Sequence, residues 1–285
     1  MANMDAMDSV ERKTPSDDRG VSSLHRAVEI VKALAGSAET GLRVSELCRQ
    51  LGQTQATTHR LLQQLIDEGL VEQGAQSKRY RLAIEFFALA ARAGDHGAFR
   101  ELCRPALLRL GASLGDSVFL LVRSGFDAVC LDRCEGPFPI RTFTGDIGGR
   151  VPLGVGQGAL VILAYLPEAE QEEVMRFNVP RIQHMGHLDE VFLRTEAARA
   201  RNQGYANTNS GLIEGMAGVA VPVFDSNRRV VAALRVGTIA SRLNADRLPV
   251  VVELLQREAK KISERVNPFD RAVRRPAESL GAGRS

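Results

Sequence analysis

The chain has 285 residues, 44% of them hydrophobic and 25% charged, and carries a formal net charge of +3. That length is enough for two cores, so roughly two domains are expected, and the composition is that of a soluble globular protein with no apolar run long enough to span a bilayer. So small a net charge does not by itself indicate a nucleic-acid partner, and any such argument rests on where the cations stand.

Residues 1–20 are polar and charged with almost nothing to bury, and read as a disordered tail rather than a secretory signal, so the cytoplasm is the expected compartment. The four cysteines, Cys48, Cys103, Cys130 and Cys134, do not make a disulfide framework in a chain this long. Cys130 and Cys134 lack the second Cys or His pair that zinc would need. All four read as structural, and no metal or cofactor is expected.

Val21 to Ala35 has helical spacing, with Leu24, Val28, Val31 and Ala35 on one face and Ile30 and Leu34 widening it. Its remaining apolar positions could serve a twin subunit. The organising stretch follows. Val44, Leu47 and Leu51 form a stripe ended by Gly52, and Leu61, Leu62, Leu65 and Ile66 repeat at helical spacing in a second helix that starts at Thr54 or Gln55. The exposed side of that second helix presents Gln55, Thr57, Thr58, His59, Arg60 and Gln63, groups that reach base edges and phosphates in a major groove.

Leu70–Gln73 and Lys78–Leu82 are two short strands about the turn Gly74–Ser77, which makes a wing with Lys78, Arg79 and Arg81 at and beside its tip. An ordinary helical hairpin with a surface ribbon would share this geometry. Turn, polar first half and basic ribbon in that order make DNA binding the better reading, over residues 21–82. Gln55, Thr57, Thr58, His59 and Gln63 are the expected base readers, and Arg60, Lys78 and Arg79 the phosphate contacts.

Residues 83–98 read as a linker helix interrupted at Gly94–Gly97. From 99 to 266 the pattern is α/β. Phe99 to Leu114 is helical, with Pro105 tolerable in a first turn; Ser117–Arg123 and Ala128–Cys134 are a hairpin, and Ile140–Thr144 is a further candidate strand. Gly156–Leu166, a helix starting at Glu168, and Leu188–Gln203 are helical. Met216–Phe224 and Val230–Gly237 are strands, Asp246 to Val266 is the closing helix, and 267–285 is a tail. Gly218, Ala220 and Pro222 alternate against Val219, Val221 and Val223, while Val231, Ala233, Arg235 and Gly237 share a face. A face of Gly and Ala with one arginine standing on it suggests a pocket for an anion; a closely packed covering helix, with Arg235 reaching solvent, is the alternative. Gly148–Gly158 runs into a helix whose free N–H groups suit a carboxylate, and it lacks the full signature of a nucleotide loop. His184 and His187 read as a solvated turn rather than a metal site. A nucleophile elbow and a His-Glu-x-x-His helix are both absent, which weighs against the rival reading of an enzyme acting on a small acid with an accessory DNA-binding head. A protein-interaction module is the second rival.

The order of parts resembles the IclR-type family of bacterial transcription regulators. The segments that carry the resemblance are Val44-Ser-Glu-Leu, Thr57-Thr-His-Arg-Leu-Leu with Glu68-Gly-Leu-Val71, Arg79-Tyr-Arg-Leu82, Gly148-Gly-Arg-Val-Pro-Leu153, Gly204-Tyr-Ala206 and Pro222-Val-Phe-Asp225. The resemblance implies an α+β chain: an N-terminal winged helix-turn-helix, a linker helix and a GAF/profilin-like effector-binding domain. It also implies a double-stranded DNA operator, a small-molecule effector, and homodimers often paired into tetramers. Its effector pocket would use backbone near Gln157 and Gly158 and side chains around Thr208, Gly218, Arg235 and Gly237. Well-studied members have an acidic residue, a cysteine and two serines at the last four positions. The exchange of a carboxylate for a guanidinium favours a carboxylate effector, and Gly218 and Gly237 would leave space for an aromatic one.

Overall fold

The computed structural model describes residues 22–37, 40–92, 96–138, 146–185, 188–207 and 213–266. The chain divides into two compact units, Met1–Gly94 and Asp95–Ser285.

The first unit begins with α1 (Ser23–Ala35), whose N-terminus is capped by the Ser22 hydroxyl accepting from the His25 N–H. Next come α2 (Val44–Leu51) and α3 (Gln55–Asp67). Gly52 between them is left-handed, at φ 63°, which a residue without Cβ adopts at no steric cost. Thr54 caps α3 by accepting from the Thr57 N–H. β1 (Val71–Gln73) and β2 (Tyr80–Leu82) pair antiparallel as the wing, and α4 (Ile84–Arg92) follows. Ile30, Leu47, Leu61, Leu62, Val71 and Tyr80 make one core. Fully burying each large aliphatic among them contributes about 1.5–3 kcal/mol, as an upper bound. The buried stripe of α1 is Ile30, Ala33 and Leu34 with Ala27 and Val31 alongside, whereas Leu24 and Val28 are 74% and 41% exposed. The expected face of α1 is therefore rotated, and its first two apolar residues stand outside the core.

The second unit opens with α5 (His96–Leu114). Pro105 lies in the middle of α5 rather than in a first turn, on the exposed side of the helix. Then come β3 (Ser117–Ser124), β4 (Asp127–Cys134), β5 (Arg150–Pro152), α6 (Gly156–Tyr165), α7 (Glu168–Ile182) and α8 (Glu190–Gln203). β6 (Met216–Phe224), β7 (Val230–Ile239), a single 3-10 turn at Ala240–Arg242 and α9 (Arg247–Ser263) close the unit. The five strands form an antiparallel sheet in the order β5-β4-β3-β7-β6. β5 is an addition to the expected elements: the glycines on both sides mask a strand of three residues, and its pairing with β4 settles its conformation. The expected strand Ile140–Thr144 lies outside the described residues.

α6 covers one face of the sheet, with α7 and α8 packed on it, and α5 and α9 cover the other. The alternation read from β6 holds, Val219, Val221 and Val223 joining the α5/α9 core and Ala220 the α6 core. Val231 departs from the expected grouping. A bulge where Val223 pairs Ala232 but Phe224 pairs Val230 leaves it unpaired and turns it to the α5/α9 side. A buried carboxylate ties the start of the sheet down: Asp116 accepts from Thr238 (2.9 Å), Arg242 (3.0 Å) and Arg247 (2.6 Å). Among the described residues no helix is long and apolar enough to cross a membrane.

Candidate nucleic-acid interface and effector site

On α3 the residues Gln55, His59 and Gln63 recur every fourth position and lie exposed in one stripe, with Ala56, Arg60 and Gln64 in a second beside it. The two stripes form an open face of mixed hydrogen-bonding groups and one free-standing imidazole. Arg60 donates to Gln64 Oε1 at 3.5 Å and Gln63 Nε2 to Asp67 Oδ1 at 3.1 Å, so part of this face is held in place before any ligand arrives.

Two of the expected readers are elsewhere. Thr58 is fully buried, and its Oγ1 accepts from the Cys48 thiol at 3.4 Å, stitching α3 to α2. The helical period that exposes Gln55 and His59 turns position 58 inward, so Thr58 is a packing residue and not a base reader. Thr57 is half-buried, its hydroxyl accepting from Thr54 at 3.0 Å, and it stands on the flank of α3 nearer α1.

The wing is also rearranged. Arg79, expected on phosphate, folds back: its Nη1 donates to Gly41 O (2.8 Å) and pairs with Glu46 (3.2 Å). It anchors the ribbon to α2. Arg81 pairs with Glu72 across the ribbon. Lys78 remains exposed at the tip, and its φ of 51° is unusual for a residue with a side chain. Clefts flank α3 on both sides. One, of about 470 Å³, is bounded by His25, Arg26, Glu29, Gln53, Thr54 and Thr57; the other, of about 350 Å³, by Arg43, Ser45, Gln55, Gln76, Ser77 and Lys78.

In the second unit the expected effector residues converge where α6 meets β6 and β7. Arg235 Nε donates to Gln157 Oε1 at 3.1 Å, and the guanidinium lies 5.2 Å from the centre of the Phe119 ring. A Cβ on Gly218 would come within 3.0 Å of Gln157 Oε1 and 2.7 Å of Val236 O, and one on Gly158 within 2.1 Å of Leu121 Cδ1. These glycines therefore do not leave space for a bulky ligand; they let α6 close onto the sheet, as the alternative of a tightly packed covering helix requires. Arg235, in contrast to that alternative, is mostly buried rather than out in solvent. Gly237 pairs with Gly218 on one side and Ser117 on the other. Thr208 lies outside the described residues.

Burial draws the Arg235 guanidinium down to about 10, the Cys130 sulfur opposing that drop. Burial likewise pushes the Cys130 thiol up to about 11, with Arg133 and Arg235 pulling the other way. At neutral pH the site thus holds a cation, a neutral thiol, an amide and an aromatic ring. Phe119, Leu121 and Cys130 also belong to this site and stand outside the expected set. The pairings Phe119 with Arg235 and Leu121 with Cys130 set them on the same face, and the period of two in β3, followed from Arg235's neighbour, was the signal that could have found them. Among the described residues no group of three metal-ligating side chains gathers.

A helix-turn-helix with a paired ribbon, followed by an antiparallel sheet that carries a buried cation under a helix N-terminus, defines a DNA-binding regulator with a separate sensing unit. Residues 23–75 match the IclR helix-turn-helix domain and residues 93–264 the bacterial transcriptional regulator IclR C-terminal domain, and the chain belongs to the IclR family of bacterial transcription regulators. It is 28% identical to the HTH-type transcriptional regulator KipR of Bacillus subtilis, over 79% of this chain and 90% of that protein. It is 28% identical to KdgR of Escherichia coli over 88% and 94%. Among solved structures, an IclR regulator from Alicyclobacillus acidocaldarius superposes with a TM-score of 0.70 at 25% identity, covering 85% of this chain and 97% of that one. An IclR homologue from Microbacterium hydrocarbonoxydans, solved with 4-hydroxybenzoate, gives 0.71 at 24% identity, covering 85% and 98%.

Proposed function

We propose that this regulator senses a small carboxylate, an aromatic one first among them, and controls an operon that consumes it. The observation that carries this reading is the Arg235 guanidinium, held by Gln157 over the Phe119 ring beside the first turn of α6. A carboxylate docked there gains a charge-assisted pair with Arg235 and the first N–H groups of α6. The Microbacterium homologue's 4-hydroxybenzoate and the name of a further relative, the acetate operon repressor of Salmonella typhimurium, 24% identical over 85% of this chain, favour testing such acids first.

On DNA, Gln55, His59 and Gln63 read base edges and Arg60 and Lys78 hold phosphates. Leu24 and Val28 on α1 and Ile84 and Leu89 on α4, exposed by 74%, 41%, 79% and 45%, are the apolar surface that a second copy covers in a homodimer, and dimers pair into tetramers. Effector binding shifts the population between two arrangements of the sensing units, and the DNA-binding units follow.

Thermal melting with benzoate, 4-hydroxybenzoate and their neutral amides tests the sensing claim. The acids raise Tm, by about 2.7 kcal/mol of stabilisation at a hundredfold excess over Kd; the amides do not, and Arg235→Ala loses the response. A rise with the amides equal to that with the acids, or an undiminished response in Arg235→Ala, sinks it.

A further inference from the structure

The cleft between the start of α2, the start of α3 and the wing has a composition that the wing alone does not explain. Its walls are Arg43 and Ser45 from α2, Gln55 from α3, and Gln73, Gln76, Ser77 and Lys78 from the ribbon, with Val44 and Tyr80 beneath. Both charged side chains in that lining are cations. The cleft on the other flank of α3 contains Glu29 beside His25 and Arg26, so the two flanks differ in kind. Gln55 belongs both to the α2–wing cleft and to the open face of α3. The cleft is therefore continuous with that face, and whatever polymer lies along α3 runs on into it.

The state of the other wing cations sharpens the point. Arg79 is engaged by Gly41 O and Glu46, and Arg81 by Glu72. Arg43 is the N-cap residue just before α2, and its own backbone N–H, not its side chain, is the group bonded to Glu46 Oε2, at 2.7 Å. The guanidinium is exposed and has no part in that cap.

We propose that Arg43 is a DNA-contacting residue, and that Arg43 and Lys78, which both line this cleft, seat the sugar-phosphate strand bordering the groove that α3 reads. Arg79 holds the ribbon at the spacing that keeps the cleft open. The proposal rests on the reading of α3 as the DNA-facing helix, and it moves the phosphate-binding role expected of Arg79 to Arg43. Phosphate contacts made by fixed cations set register without selecting sequence, so loss of Arg43 weakens operator and random DNA alike.

The test is the salt dependence of binding to a 30-base-pair duplex of mixed sequence and to DNA from upstream of the protein's own gene, with full-length protein between 50 and 200 mM NaCl. Removing one cation from a phosphate lowers the slope of log K against log [salt] by about 0.9. Across that fourfold range, Arg43→Ala should lose about 3.5-fold less affinity than wild type for each DNA-binding unit engaged. Arg43→Lys, which keeps the charge, should restore the slope, and Arg43→Ala/Lys78→Ala should lower it by about twice as much. Tm should stay at the wild-type value, because the Glu46 cap is made to a backbone N–H. Arg194→Ala, which removes an exposed cation from the second unit, serves as the charge control. An Arg43→Ala slope equal to wild type or to Arg194→Ala overturns the proposal while leaving the reading of α3 intact. A loss in Arg43→Ala on upstream DNA only overturns it too, by making Arg43 a base reader. Wild-type protein that binds neither duplex overturns the reading of α3 and the proposal with it.

Discussion

Gly218→Ala distinguishes two accounts of the glycines over the sensing site by the sign of its effect. If Gly218 left open space, a methyl group there would be harmless and the strand would gain the roughly 0.5–1 kcal/mol that Ala enjoys over Gly through lower unfolded-state entropy. The structure leaves no such space. The new Cβ would stand 2.7 Å from Val236 O and 3.0 Å from Gln157 Oε1, against an ordinary contact of about 3.5–4.0 Å. Val236 O belongs to the neighbouring strand and cannot retreat without moving β7, so the Gln157 amide must give way, and with it the bond to Arg235. Overpacking of this kind costs about 1–3 kcal/mol. Less the entropic gain of about 0.5–1 kcal/mol, the net loss is about 0.5–2 kcal/mol, or a Tm lower by about 1–8 °C for a unit of this size. Differential scanning calorimetry measures it, with Gly36→Ala, where a Cβ meets nothing nearer than 3.6 Å, as the neutral comparison. A Tm that rises, or an acid response that strengthens, refutes the claim that the glycine is there for α6 to close down.

The remaining predictions concern both units. Thr58→Val gives up the weak bond from Cys48, so it should cost about 0.5–1.5 kcal/mol and leave DNA sequence preference unchanged, whereas His59→Ala relaxes that preference; competition binding against single-base operator variants separates the two. Cys130, buried and with its thiol pushed up to about 11, should resist iodoacetamide at pH 8 while Cys48 and Cys134 react, and mass spectrometry of briefly treated protein would contradict this if Cys130 were labelled first. Because that thiol is raised in the folded state, its contribution to stability is full below the thiol's ordinary pKa and is lost as pH rises through about 11. Glu258 runs the other way. Burial alone would raise its carboxyl, but hydrogen bonds from Arg109 and Lys261 outweigh burial and hold it below the ordinary value of 4.5. Its contribution is therefore present above that value and disappears as pH falls through the lower folded one. Glu258→Gln should flatten the acid limb of a stability-against-pH curve, and an unchanged limb would show the pair with Arg109 to be inert.

Much of the fold was legible because hydrophobic period and turn residues agree. Gly52, Thr54 and the leucines of α3 specify a helix-turn-helix from local signals. What was not legible needed the third dimension. Thr58 and His59 are neighbours in sequence and polar alike, and only the packing of α3 on α2 sends one inward. Arg79 reads as a phosphate contact until Gly41 O and Glu46, more than thirty residues earlier, are found beside it. Gly218 suggests empty volume until the partner that fills it, Gln157 from a helix some sixty residues away in the chain, is known. β5 is too short to show a period, and its identity comes from β4. Arg43 stands at a position where a capping side chain is the ordinary expectation, and only the cleft it borders gives it another role.

On the function proposed above, the α3 face reads DNA sequence under the control of a carboxylate bound at Arg235. Fluorescence anisotropy tests it most directly: DNA from upstream of the gene against random DNA, at 50 and 200 mM salt, with and without 4-hydroxybenzoate or another acid that raises Tm. A preference for the upstream DNA should survive the higher salt, and the acid should change affinity in wild type but not in Arg235→Ala. Equal binding to both DNAs that the higher salt erases, with no response to any acid that binds, would contradict it.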